Sequence, residues 1–512
     1  MNPARQVLIC GPRRVSGTDL RENAERAASG FASLDVRPGD AVAVMMRNDL
    51  PYLEAMLAVS RLGAHLVAVN WHFQADEAGF LLNDSGAKLL IIHADLLPKV
   101  AAVVPPGVRM IVVDTPADMA AAYQLGDTMP PPADALAWAA WRDSFDRWRE
   151  PPVPPLGSML YTSGTTGHPK GVMRLPGTPL QHAGQLRVRA LVGKAREGMR
   201  TAIVGPLYHA GPNSGARLAL EMADRVVVLP RFDAEPLLQV IEEHRLTHLS
   251  LVPVMLVRLL KLAPQVRARY DLSSLENVTH GGSPCPPEVR RAMIDWWGPI
   301  LTETYGSTEA GLVTLCTSEE WLRFPGTVGR PLEGMSVRIL DEHGSLLPTG
   351  EVGEIYIDPG ENALPFTYRN DAALRQSIER DGHITNGDMG YLNAESYLFI
   401  TDRKRDMVIS GGVNIYPAEI EHVLLGCPDV IDAAVFGIPD PEFGEALAAA
   451  IVPAAGRRPS AESIQAYVRE RLAGYKVPQV VDFHDALPRE GMGKLFKNVL
   501  RAPYWAGTGR RI

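Results

Sequence analysis

Short apolar runs alternate with amphipathic stretches along most of the chain. The run AVAVMM at 41–46 is followed by PYLEAMLAVSRLGA at 51–64, where apolar residues recur at helical spacing. Asn48 or Asp49 can cap this stretch, a proline suits its first turn and Gly63 suits its exit. The pattern therefore predicts a buried strand followed by a helix.

The same pattern repeats further along the chain. The stretch EPLLQVIEEHR at 235–245 is apolar at helical spacing and lies between two strand-like runs. The strand-like runs beyond the first helix are KLLIIH at 88–93, MIVVD at 110–114, RVVVLP at 225–230 and THLSLV at 247–252. This alternation predicts the α/β class with largely parallel sheets. The segment 130–155 is rich in proline and alanine without a clear period, so we predict a surface connection there.

Two domains are predicted from the chain length and from a change in the size of the strand-and-helix pattern near the sequence TDRKRD. A chain of 512 residues exceeds the size of one compact core. Beyond 402–406, the strands VIDAAVFG and ALAAAIV and the helix AESIQAYVRERLA repeat the pattern on a smaller scale. We predict a large N-terminal domain, 1–402, whose several subdomains contain mixed parallel sheets flanked by helices, and a small mobile α+β domain, 403–512.

The composition is that of a folded globular protein, and it narrows the choice of partners. Hydrophobic residues make up 46% of the chain and charged residues 21%, which excludes disordered and fibrous proteins. The formal net charge is -8 and no long lysine or arginine run is present, so we expect no nucleic-acid partner. No apolar run approaches the roughly 20 residues of a membrane span, which predicts no integral membrane association.

The cysteines and the N-terminus predict a cytoplasmic location. Cys10, Cys285, Cys316 and Cys427 lie far apart, without the paired spacing of a zinc site or a disulfide framework. The apolar run at 7–10 is too short for a signal-peptide core.

The oligomeric state cannot be read from the sequence, so both a monomer and a homodimer stay open.

The most informative stretch predicts a phosphate-binding loop. YTSGTTGHPKGV, at 161–172, combines three glycines with four serine or threonine residues and a lysine. Glycines let the backbone approach phosphates, N–H and hydroxyl groups donate to them, and Lys170 can reach an outer phosphate. The stretch is not a Walker A loop, because Gly171 follows the lysine where serine or threonine is needed. The alternative is a flexible surface turn.

Six further motifs follow this loop in order, and together they resemble the acyl-adenylate-forming superfamily. That superfamily contains acyl-CoA synthetases, luciferases and the adenylation domains of peptide synthetases, and the resemblance covers nearly the whole chain. This chain is similar to the acyl-CoA synthetase, or fatty-acid–CoA ligase, branch. The motifs are PLYHAG (206–211), ETYGSTEAG (303–311), GTVGRP (326–331), NGDMGY (386–391), DRKRDMVISGGVNIYPAEIE (402–421) and PREGMGKLFK (488–497).

The resemblance implies an ATP-dependent acid–thiol ligase with Mg²⁺ as cofactor and ATP and CoA as co-substrates. A carboxylic acid and ATP would give acyl-AMP and pyrophosphate, and acyl transfer to CoA would then give acyl-CoA and AMP. A carboxylate is a poor electrophile, so joining it to the α-phosphate activates it. Charge builds on the phosphoryl oxygens in the transition state, and cations must meet it there.

By the same resemblance, the nucleotide site combines the phosphate loop with two later motifs. Asp388 would accept hydrogen bonds from both ribose hydroxyls, and Arg403 would make a second ribose or phosphate contact. The strip 281–284 and Tyr305 would lie on opposite faces of the adenine ring. The residues assigned to the nucleotide are Thr162, Ser163, Gly164, Thr165, Thr166, Lys170, Gly281, Gly282, Ser283, Pro284, Glu303, Thr304, Tyr305, Gly306, Ser307, Asp388 and Arg403.

Four residues are predicted to take part in catalysis. Glu309 resembles the Mg²⁺ ligand of the family, and Thr308 beside it offers a hydroxyl to the α-phosphate. Lys494, on a glycine-containing loop, matches the lysine that swings in to bridge the carboxylate and the α-phosphate. For His209 two interpretations stay open, because it can gate or orient the acid or be a packed core histidine.

The resemblance also implies that the small domain rotates between the two half-reactions. The hinge position is Arg405, where the family usually has aspartate or lysine. Rotation would withdraw Lys494 and bring the loop SGGVNIYP to the site. The residues assigned to CoA are Gly411, Gly412, Phe443, Tyr475 and Lys476.

The acid pocket implied by the resemblance has a small or apolar lining. Its residues are His209, Ala210, Gly211, Pro253, Gly282, Thr304, Gly306 and Leu312. No arginine or lysine for a second carboxylate is evident from the sequence, which argues against malonate-like acids. We therefore expect a bulky apolar acid, with a long-chain fatty, aromatic or steroid side chain.

Other functions make different demands on the sequence. An amino-acid adenylation domain would place an aspartate in the segment that matches PLYHAGP, and none stands there. A non-catalytic acyl-binding homologue would be expected to have lost Lys494, Glu309 or Asp388, and all three are present. A luciferase-like oxygenase would need a special substrate. A carrier-protein thiol stays open as the alternative acceptor to CoA.

Overall fold

The computed structural model of this chain describes residues 3–126, 135–151, 153–162, 169–411, 413–490 and 493–506. Their strands are β1 Val7–Cys10, β2 Arg13–Ser16, β3 Ala41–Met45, β4 His65–Ala68, β5 Ala87–His93, β6 Arg109–Val113, β7 Leu136–Ala137, β8 Met159–Thr162, β9 Lys170–Arg174, β10 Met199–Ile203, β11 Ala223–Val228, β12 His248–Leu251, β13 Asn277–Gly281, β14 Leu301–Ser307, β15 Gly311–Thr317, β16 Arg330–Pro331, β17 Ser336–Leu340, β18 Gly353–Asp358, β19 Phe366–Tyr368, β20 Glu379–Arg380, β21 His383–Leu392, β22 Leu398–Arg403, β23 Val408–Ser410, β24 Val413–Ile415, β25 Val430–Asp440, β26 Gly444–Pro453 and β27 Val480–Phe483.

Helices connect most of these strands. The α-helices are α1 Gly17–Ser33, α2 Leu50–Arg61, α3 Ala75–Ser85, α4 Leu97–Val100, α5 Ala117–Tyr123, α6 Trp138–Asp143, α7 Pro179–Val192, α8 Ala210–Met222, α9 Ala234–His244, α10 Pro253–Leu260, α11 Pro264–Arg267, α12 Pro287–Trp297, α13 Ser318–Arg323, α14 Ala372–Ser377, α15 Pro417–Leu425, α16 Ala461–Arg469 and α17 Lys497–Trp505. Short 3₁₀ turns lie at Pro3–Arg5, Ala94–Leu96, Ala101–Val103 and Gly474–Lys476.

Two large sheets form most of the molecule. The nine-stranded sheet has the order β16-β15-β14-β13-β12-β10-β11-β1-β2, and the eight-stranded sheet has the order β19-β9-β8-β4-β3-β5-β6-β7. Pairing is parallel from β14 to β1 in the first and from β8 to β7 in the second, with antiparallel strands at the edges. The predicted α/β class with largely parallel sheets is confirmed.

The first predicted strand and helix form as β3 and α2. The Asp49 carboxylate caps α2 by accepting from the backbone N–H of Leu50 at 2.7 Å, and Gly63 follows the helix at a φ of +64°. Helix α2 is buried along most of its length, because it packs with α1 between the two large sheets. Apolar side chains from both sheets meet in this core, which fixes the position of β8 and β9 relative to α8.

The segment 130–155 is only partly the surface connection that its composition predicts. Residues 135–151 contain the strand β7 and the helix α6. Trp138 and Trp141 of this helix are buried, and their rings lie 6.1 and 5.5 Å from that of Phe31. The segment therefore contributes to the core through its tryptophans.

The chain after the two large sheets forms smaller ones. Strands β17, β18, β20, β21 and β22 make a five-stranded antiparallel sheet. Beyond it, β23 pairs with β24, and β25, β26 and β27 form a three-stranded sheet with its own apolar core beneath α15 and α16. The predicted large N-terminal domain and smaller C-terminal domain are thus confirmed. In the part of the chain that the structure describes, no helix is both long and apolar enough to cross a bilayer.

Candidate active site

The hairpin of β14 and β15 carries Thr308 and Glu309 at its turn. The Glu309 Oε1 atom accepts a hydrogen bond from the Tyr368 hydroxyl at 3.0 Å, and Arg174 Nη2 donates to the Thr308 carbonyl at 2.5 Å. Lys170 Nζ lies 5.9 Å from the centre of the Tyr368 ring. The structure thus brings the predicted phosphate lysine and metal ligand to one place, around a tyrosine.

A second cluster forms where the antiparallel strands β21 and β22 meet the same hairpin. Asp388 and Arg403 are directly opposed across the two strands, with Arg403 Nε 3.2 Å from Asp388 Oδ1. The Tyr305 hydroxyl donates to Asp388 Oδ2 at 2.7 Å. The Asn386 amide is buried without a hydrogen-bond partner among the described residues. Carboxylate, guanidinium and amide groups therefore converge in a way that suits ribose hydroxyls.

The predicted adenine strip lies where β13 ends. A side chain at Gly281 would meet the Thr304 carbonyl oxygen 2.4 Å from its Cβ, so only glycine lets β13 and β14 approach here. Gly282 has a φ of +83°, which favours glycine, and its missing side chain faces open space within the described structure. Ser283 and Pro284 follow it in the same loop. The close approach of the strands leaves a flat, uncrowded edge for a ring.

Lys494 lies inside this site. It acts electrostatically with Glu309, Glu490 and Arg403, and burial lowers its pKa although the two carboxylates oppose the shift. Burial also raises the pKa of Glu490, against the pull of Lys494. The ammonium is thus held among the groups predicted to surround the phosphates.

The loop that carries Lys494 is fixed on both sides. Gly493 has a φ of +83°, and a Cβ there would lie 2.8 Å from the Val254 side chain on α10. On the other side, Arg489 donates to the Gly493 carbonyl at 2.6 Å and pairs with Asp432 at 2.7 Å. Glycine is therefore required for the loop to reach Lys494's position.

His209 immediately precedes α8 and is half-buried beside the Lys494 loop. Its ring lies 4.3 Å from that of Tyr208, and its Nε2 atom is 3.7 Å from Glu490 Oε1, beyond hydrogen-bond distance. Nε2 has no hydrogen-bond partner among the described residues. Burial, with the positive charge of Lys494, lowers the pKa of His209 to about 3, so its imidazole is neutral at pH 7.

The predicted acid-pocket positions lie at the starts of α8 and α10, at the end of β13 and in the hairpin of β14 and β15. Ala210 and Gly211 begin α8, Pro253 begins α10, and Gly306 pairs with Leu312 across the hairpin. Beyond the predicted set, a side chain at Gly215 would meet no described atom within 4 Å, and the same is true at Gly211. One face of α8 therefore borders open space.

The predicted CoA residues fall into two groups. Gly411 donates its backbone N–H to the Phe443 carbonyl at 2.9 Å, and Phe443 is 47% exposed. Tyr475, 57% exposed, lies on a 3₁₀ turn beside Lys476, whose ammonium reaches Glu419 at 2.5 Å. The structure brings Gly411 and Phe443 together and leaves both aromatic rings accessible.

Some predicted residues lie elsewhere. Glu303 is not gathered with the nucleotide residues, because its carboxylate is buried and paired with the fully buried Arg290. Burial raises the pKa of Glu303 to about 7, against the opposing guanidinium. The hinge position, Arg405, follows β22 in a turn, and burial together with Arg403 lowers its pKa. Predicted positions outside the described residues are Ser163, Gly164, Thr165, Thr166 and Gly412; Thr162 and Lys170 are paired where β8 and β9 flank the loop.

The sequence analysis missed several groups at the site. Tyr368 is too far from Glu309 in sequence, and Glu490 too far from His209, for one short motif to contain either pair. Glu490 does lie inside the motif PREGMGKLFK. It also missed the arginines of β9, α7 and α8, which are Arg174, Arg189 and Arg217. The one available signal was in β9, where successive side chains point to opposite faces of the strand. Residues 170 and 174 therefore lie on the same face.

A separate cavity of about 460 Å³ opens on the other side of Tyr208. Its lining includes the ring of Trp71, the guanidinium groups of Arg231 and Arg258, and Asp233, whose carboxylate lies 3.8 Å from Arg231. The His72 ring, also in its wall, lies 6.5 Å from that of Tyr208. Aromatic and cationic groups thus line a space next to the acid site.

The residues present suit a magnesium ion brought in by a nucleotide. Mg²⁺ in such sites takes one or two protein carboxylates and completes its shell with phosphates and water. Glu309 supplies one carboxylate beside Lys170 and Thr308. Within the described ranges, no cluster of three or more histidine, cysteine, aspartate or glutamate side chains could hold a metal by itself.

Comparison with known proteins agrees with this geometry. Residues 1–363 match the family model described as AMP-binding enzyme, and 419–494 match that of the AMP-binding enzyme C-terminal domain. The chain is 33% identical to a feruloyl-CoA synthase of an Amycolatopsis species, over 98% of this chain and 96% of the relative. It is 32% identical to the long-chain-fatty-acid–CoA ligase FadD13 of Mycobacterium tuberculosis, over 96% and 94%.

A solved structure extends the agreement to the fold. The o-succinylbenzoate CoA synthetase MenE of Bacillus subtilis, in complex with its acyl-adenylate intermediate, superposes with a TM-score of 0.82. It is 28% identical and covers 98% of this chain and 96% of its own. The predicted resemblance is thereby confirmed: the chain belongs to the AMP-binding enzymes, in the acyl-CoA synthetase branch of the adenylate-forming superfamily.

Proposed function

We propose that this enzyme is an ATP-dependent ligase that joins a bulky carboxylic acid to CoA through an acyl-AMP intermediate. The observation that carries the proposal is the convergence of Lys494, Glu309 and Arg403 beside the Asp388 and Tyr305 cluster. These groups combine the Lys494 ammonium, a metal ligand and a ribose site, which activation by adenylation requires. In this proposal the N-terminal domain spans 1–402 and the small C-terminal domain spans 403–512.

In the first half-reaction, an oxygen of the acid attacks the α-phosphorus of ATP. A new O–P bond forms, the bond to the β-phosphate breaks, and pyrophosphate leaves with its electron pair. Lys494 offsets the charge that builds on the α-phosphoryl oxygens, and the Thr308 hydroxyl donates to one of them. Mg²⁺ held by Glu309 and the phosphates would supply further positive charge there.

His209 orients the acid in this scheme. Its imidazole is neutral because of burial and Lys494, so it can share a hydrogen bond with the carboxylate without neutralising the nucleophile. The unpartnered Nε2 atom lies 3.7 Å from Glu490 Oε1. The acid would therefore lie with its carboxylate between His209 and Thr308 and its chain along α8.

In the second half-reaction, the small domain turns about Arg405 and Lys494 withdraws. The CoA thiol then attacks the acyl carbonyl carbon, its proton is released, and AMP leaves as the C–O bond breaks. Gly411 and Gly412 would leave room for the pantetheine arm, while Phe443, Tyr475 and Lys476 would contact CoA. The cavity near Trp71 offers cationic groups for the phosphates of CoA.

The acid is proposed to be bulky, with a long-chain fatty, aromatic or steroid side chain. Support comes from Gly211 and Gly215, whose missing side chains leave open space along one face of α8. Gly282, where a side chain would meet no described atom within 4 Å, adds room near the reacting carboxylate.

A panel assay tests the proposed function. Pyrophosphate release and acyl-CoA mass would be followed with Mg-ATP, aliphatic, aromatic and steroid acids, and CoA present or absent. We expect Lys494→Ala to lower pyrophosphate release by about 10²- to 10³-fold, because it removes one positioned charge from the transition state. Lys88→Ala is the matched control, since that ammonium pairs with Asp40 on the surface.

The same assay separates the alternatives. Pyrophosphate release without a CoA product would point to a carrier-protein thiol as the acceptor. No ATP turnover with any acid would contradict the ligase and favour a non-catalytic acyl-binding protein. Equal rates for Lys494→Ala and Lys88→Ala would remove the lysine from the mechanism.

A further inference from the structure

One serine of β12 is exposed although its strand lies inside the nine-stranded sheet. β12 pairs with β10 on one side and with β13 on the other, and its side chains Leu249 and Leu251 are buried. Ser250, between them, points to the opposite face of the strand and is exposed. A central strand of a parallel sheet is normally covered on both faces. One face of β12 therefore borders a cleft.

The neighbouring strand extends the floor of this cleft. Ser250 is directly opposite Thr279 in the parallel pair of β12 and β13, so their hydroxyl groups lie side by side on one face. Thr279 is half-buried, and its Oγ1 atom accepts from Asn277 Nδ2 at 3.2 Å. Two residues further along β13, Gly281 pairs with Thr304, an acid-pocket residue, on the same face. Ser250 and Thr279, which we call the hydroxyl floor, thus lead into the acid pocket.

Helix α8 forms one wall of the cleft. Gly211, Gly215 and Leu218 share one side of this helix, because they are four and then three residues apart. A Cβ at either glycine would meet no described atom within 4 Å. This side of α8 therefore borders open space between the acid site and Leu218, a length of roughly 10 Å at 1.5 Å per residue.

The segment that follows α7 joins this wall to the sheet. A Cβ at Gly193 would lie 3.3 Å from the Leu218 side chain of α8. The Gly193 carbonyl accepts from Asn277 Nδ2 on β13 at 3.0 Å. One residue later, the Lys194 carbonyl lies 3.0 Å from His248 Nε2 on β12. These two backbone positions thus contact the helix and both strands.

The same contacts close the far end of the cleft. Asn277 and His248 precede Thr279 and Ser250 by two residues, so each pair lies on one face of its strand. The contacts with 193–194 are therefore on the face of the hydroxyl floor, one step further from the acid site. The cleft begins at the acid site and ends at this segment, after roughly 10 Å.

We propose that this cleft holds the acid and selects compact acids with a hydrogen-bonding oxygen at the end far from the carboxylate. With the carboxylate at His209 and Thr308, the acid would extend along α8 and its far end would meet the hydroxyl floor. Ser250 and Thr279 can donate to a phenol, alcohol or ketone oxygen and accept from a hydroxyl group. The proposal rests on the proposed ligase function. It narrows the bulky acids named there to aromatic ones, because a long chain or a steroid nucleus would extend past the closed end.

Three acids of similar shape test the hydroxyl floor. 4-Hydroxycinnamic, 4-methylcinnamic and cinnamic acids would be compared by kcat/KM for pyrophosphate release with Mg-ATP. We expect the wild type to prefer the 4-hydroxy acid over the 4-methyl acid by about 3- to 10-fold, the range of one neutral hydrogen bond. The double variant Ser250→Ala/Thr279→Val should abolish that preference. Ser273→Ala removes an exposed serine outside the cleft, so it should keep the preference.

Two variants test the wall and the closed end. Gly215→Leu places a side chain in the open space, so it should lower kcat/KM for cinnamic acid by about tenfold or more and leave butanoic acid and the KM for ATP unchanged. Leu218→Ala shortens the side chain at the closed end, so it should raise kcat/KM for dodecanoic acid several-fold relative to cinnamic acid. A wild type that prefers dodecanoic acid or the 4-methyl acid would overturn the proposal, as would full activity of Gly215→Leu with cinnamic acid.

Calorimetric titration of 4-hydroxycinnamic acid without ATP separates this proposal from the ligase function. The wild type should bind the acid at least about threefold more tightly than Ser250→Ala/Thr279→Val and about tenfold more tightly than Gly215→Leu. If the titrations give these differences but no acid supports ATP turnover, the ligase function fails and the acid cleft stands. If acids turn over but the titrations show no such differences, the acid cleft fails alone.

Discussion

Arg290 and Arg189 are both arginines of the large domain, but their surroundings differ in kind. Arg290 is fully buried, pairs with Glu303, donates to the Cys316 carbonyl at 3.1 Å and lies 5.1 Å from the Trp321 ring. Arg189 has no hydrogen-bond partner among the described residues and keeps part of its side chain accessible. The first arrangement contains its own counter-charge, while no described carboxylate acts on the second.

A paired and an unpaired buried charge should contribute differently to the free energy of unfolding. In a buried ion pair, the attraction between the two charges offsets the cost of removing them from water. Removing one partner therefore leaves the other charge buried without compensation. An unpaired cation costs free energy in the unliganded protein, and its removal relieves that cost. Stability should therefore depend strongly on Arg290 and much less on Arg189.

The largest expected effect is on stability. Arg290→Met should lower the free energy of unfolding by about 3–5 kcal/mol at pH 8, because it leaves the Glu303 carboxylate buried without its partner. Urea denaturation followed by fluorescence would measure it. The double variant Arg290→Met/Glu303→Leu should regain most of the loss, since it removes both charges. A double variant as unstable as the single one would mean that packing at Arg290, and not pairing, is what matters.

The pH dependence of stability should come from the ion pair of Arg290 and Glu303. Burial raises the pKa of Glu303 to about 7 in the folded protein, above the ordinary 4.5. The folded state then keeps a proton that the unfolded chain releases, so this group's contribution to stability is present below pH 4.5 and is lost as pH rises to about 7. Glu303→Gln should flatten the fall between pH 5 and pH 7.

A control for the pH experiment is the variant Arg189→Met. It lies outside the pair, so its unfolding free energy should follow the wild-type curve with pH. If Glu303→Gln and the wild type show parallel curves, the carboxyl does not titrate in this window.

The smallest expected effect is at Arg189. Arg189→Met should change the free energy of unfolding by less than about 1 kcal/mol in the absence of substrate, because the lost stem packing and the relieved charge repulsion oppose each other. The same urea experiment measures it, with Arg187→Met as the neighbouring control. A loss as large as that of Arg290→Met would show that Arg189 is paired, and the comparison between the two arginines would no longer hold.

Features decided by neighbouring residues could be predicted from the sequence. The strand at Ala41–Met45 and the Asp49 cap of α2 follow from apolar spacing and capping chemistry, which act within a few residues. The motif resemblance identified Asp388 and Arg403 as partners on one ligand, and they are opposed on adjacent strands. Motifs succeed here because each one carries its own local geometry.

Features decided by distant contacts could not be predicted. Helix α6 is only Trp138–Asp143, too short to be stable by itself, and it forms because its tryptophans pack against Phe31 on α1. Arg174, Arg189 and Arg217 come from three different elements, and the periodicity of each element alone does not predict that they meet. Only the packing of α7 on α8 and β15 brings those charges together.

The fit of Gly493 against Val254 bears on the timing of turnover. In the proposed mechanism the loop docks for adenylation and leaves before thiolysis, so its contact with the large domain would set a dwell time in each cycle. One partly buried valine side chain contributes on the order of 1 kcal/mol to such a contact, which is weak enough to be released in every cycle. The residue at position 254 would then control the interval between the two chemical steps without touching a reacting atom.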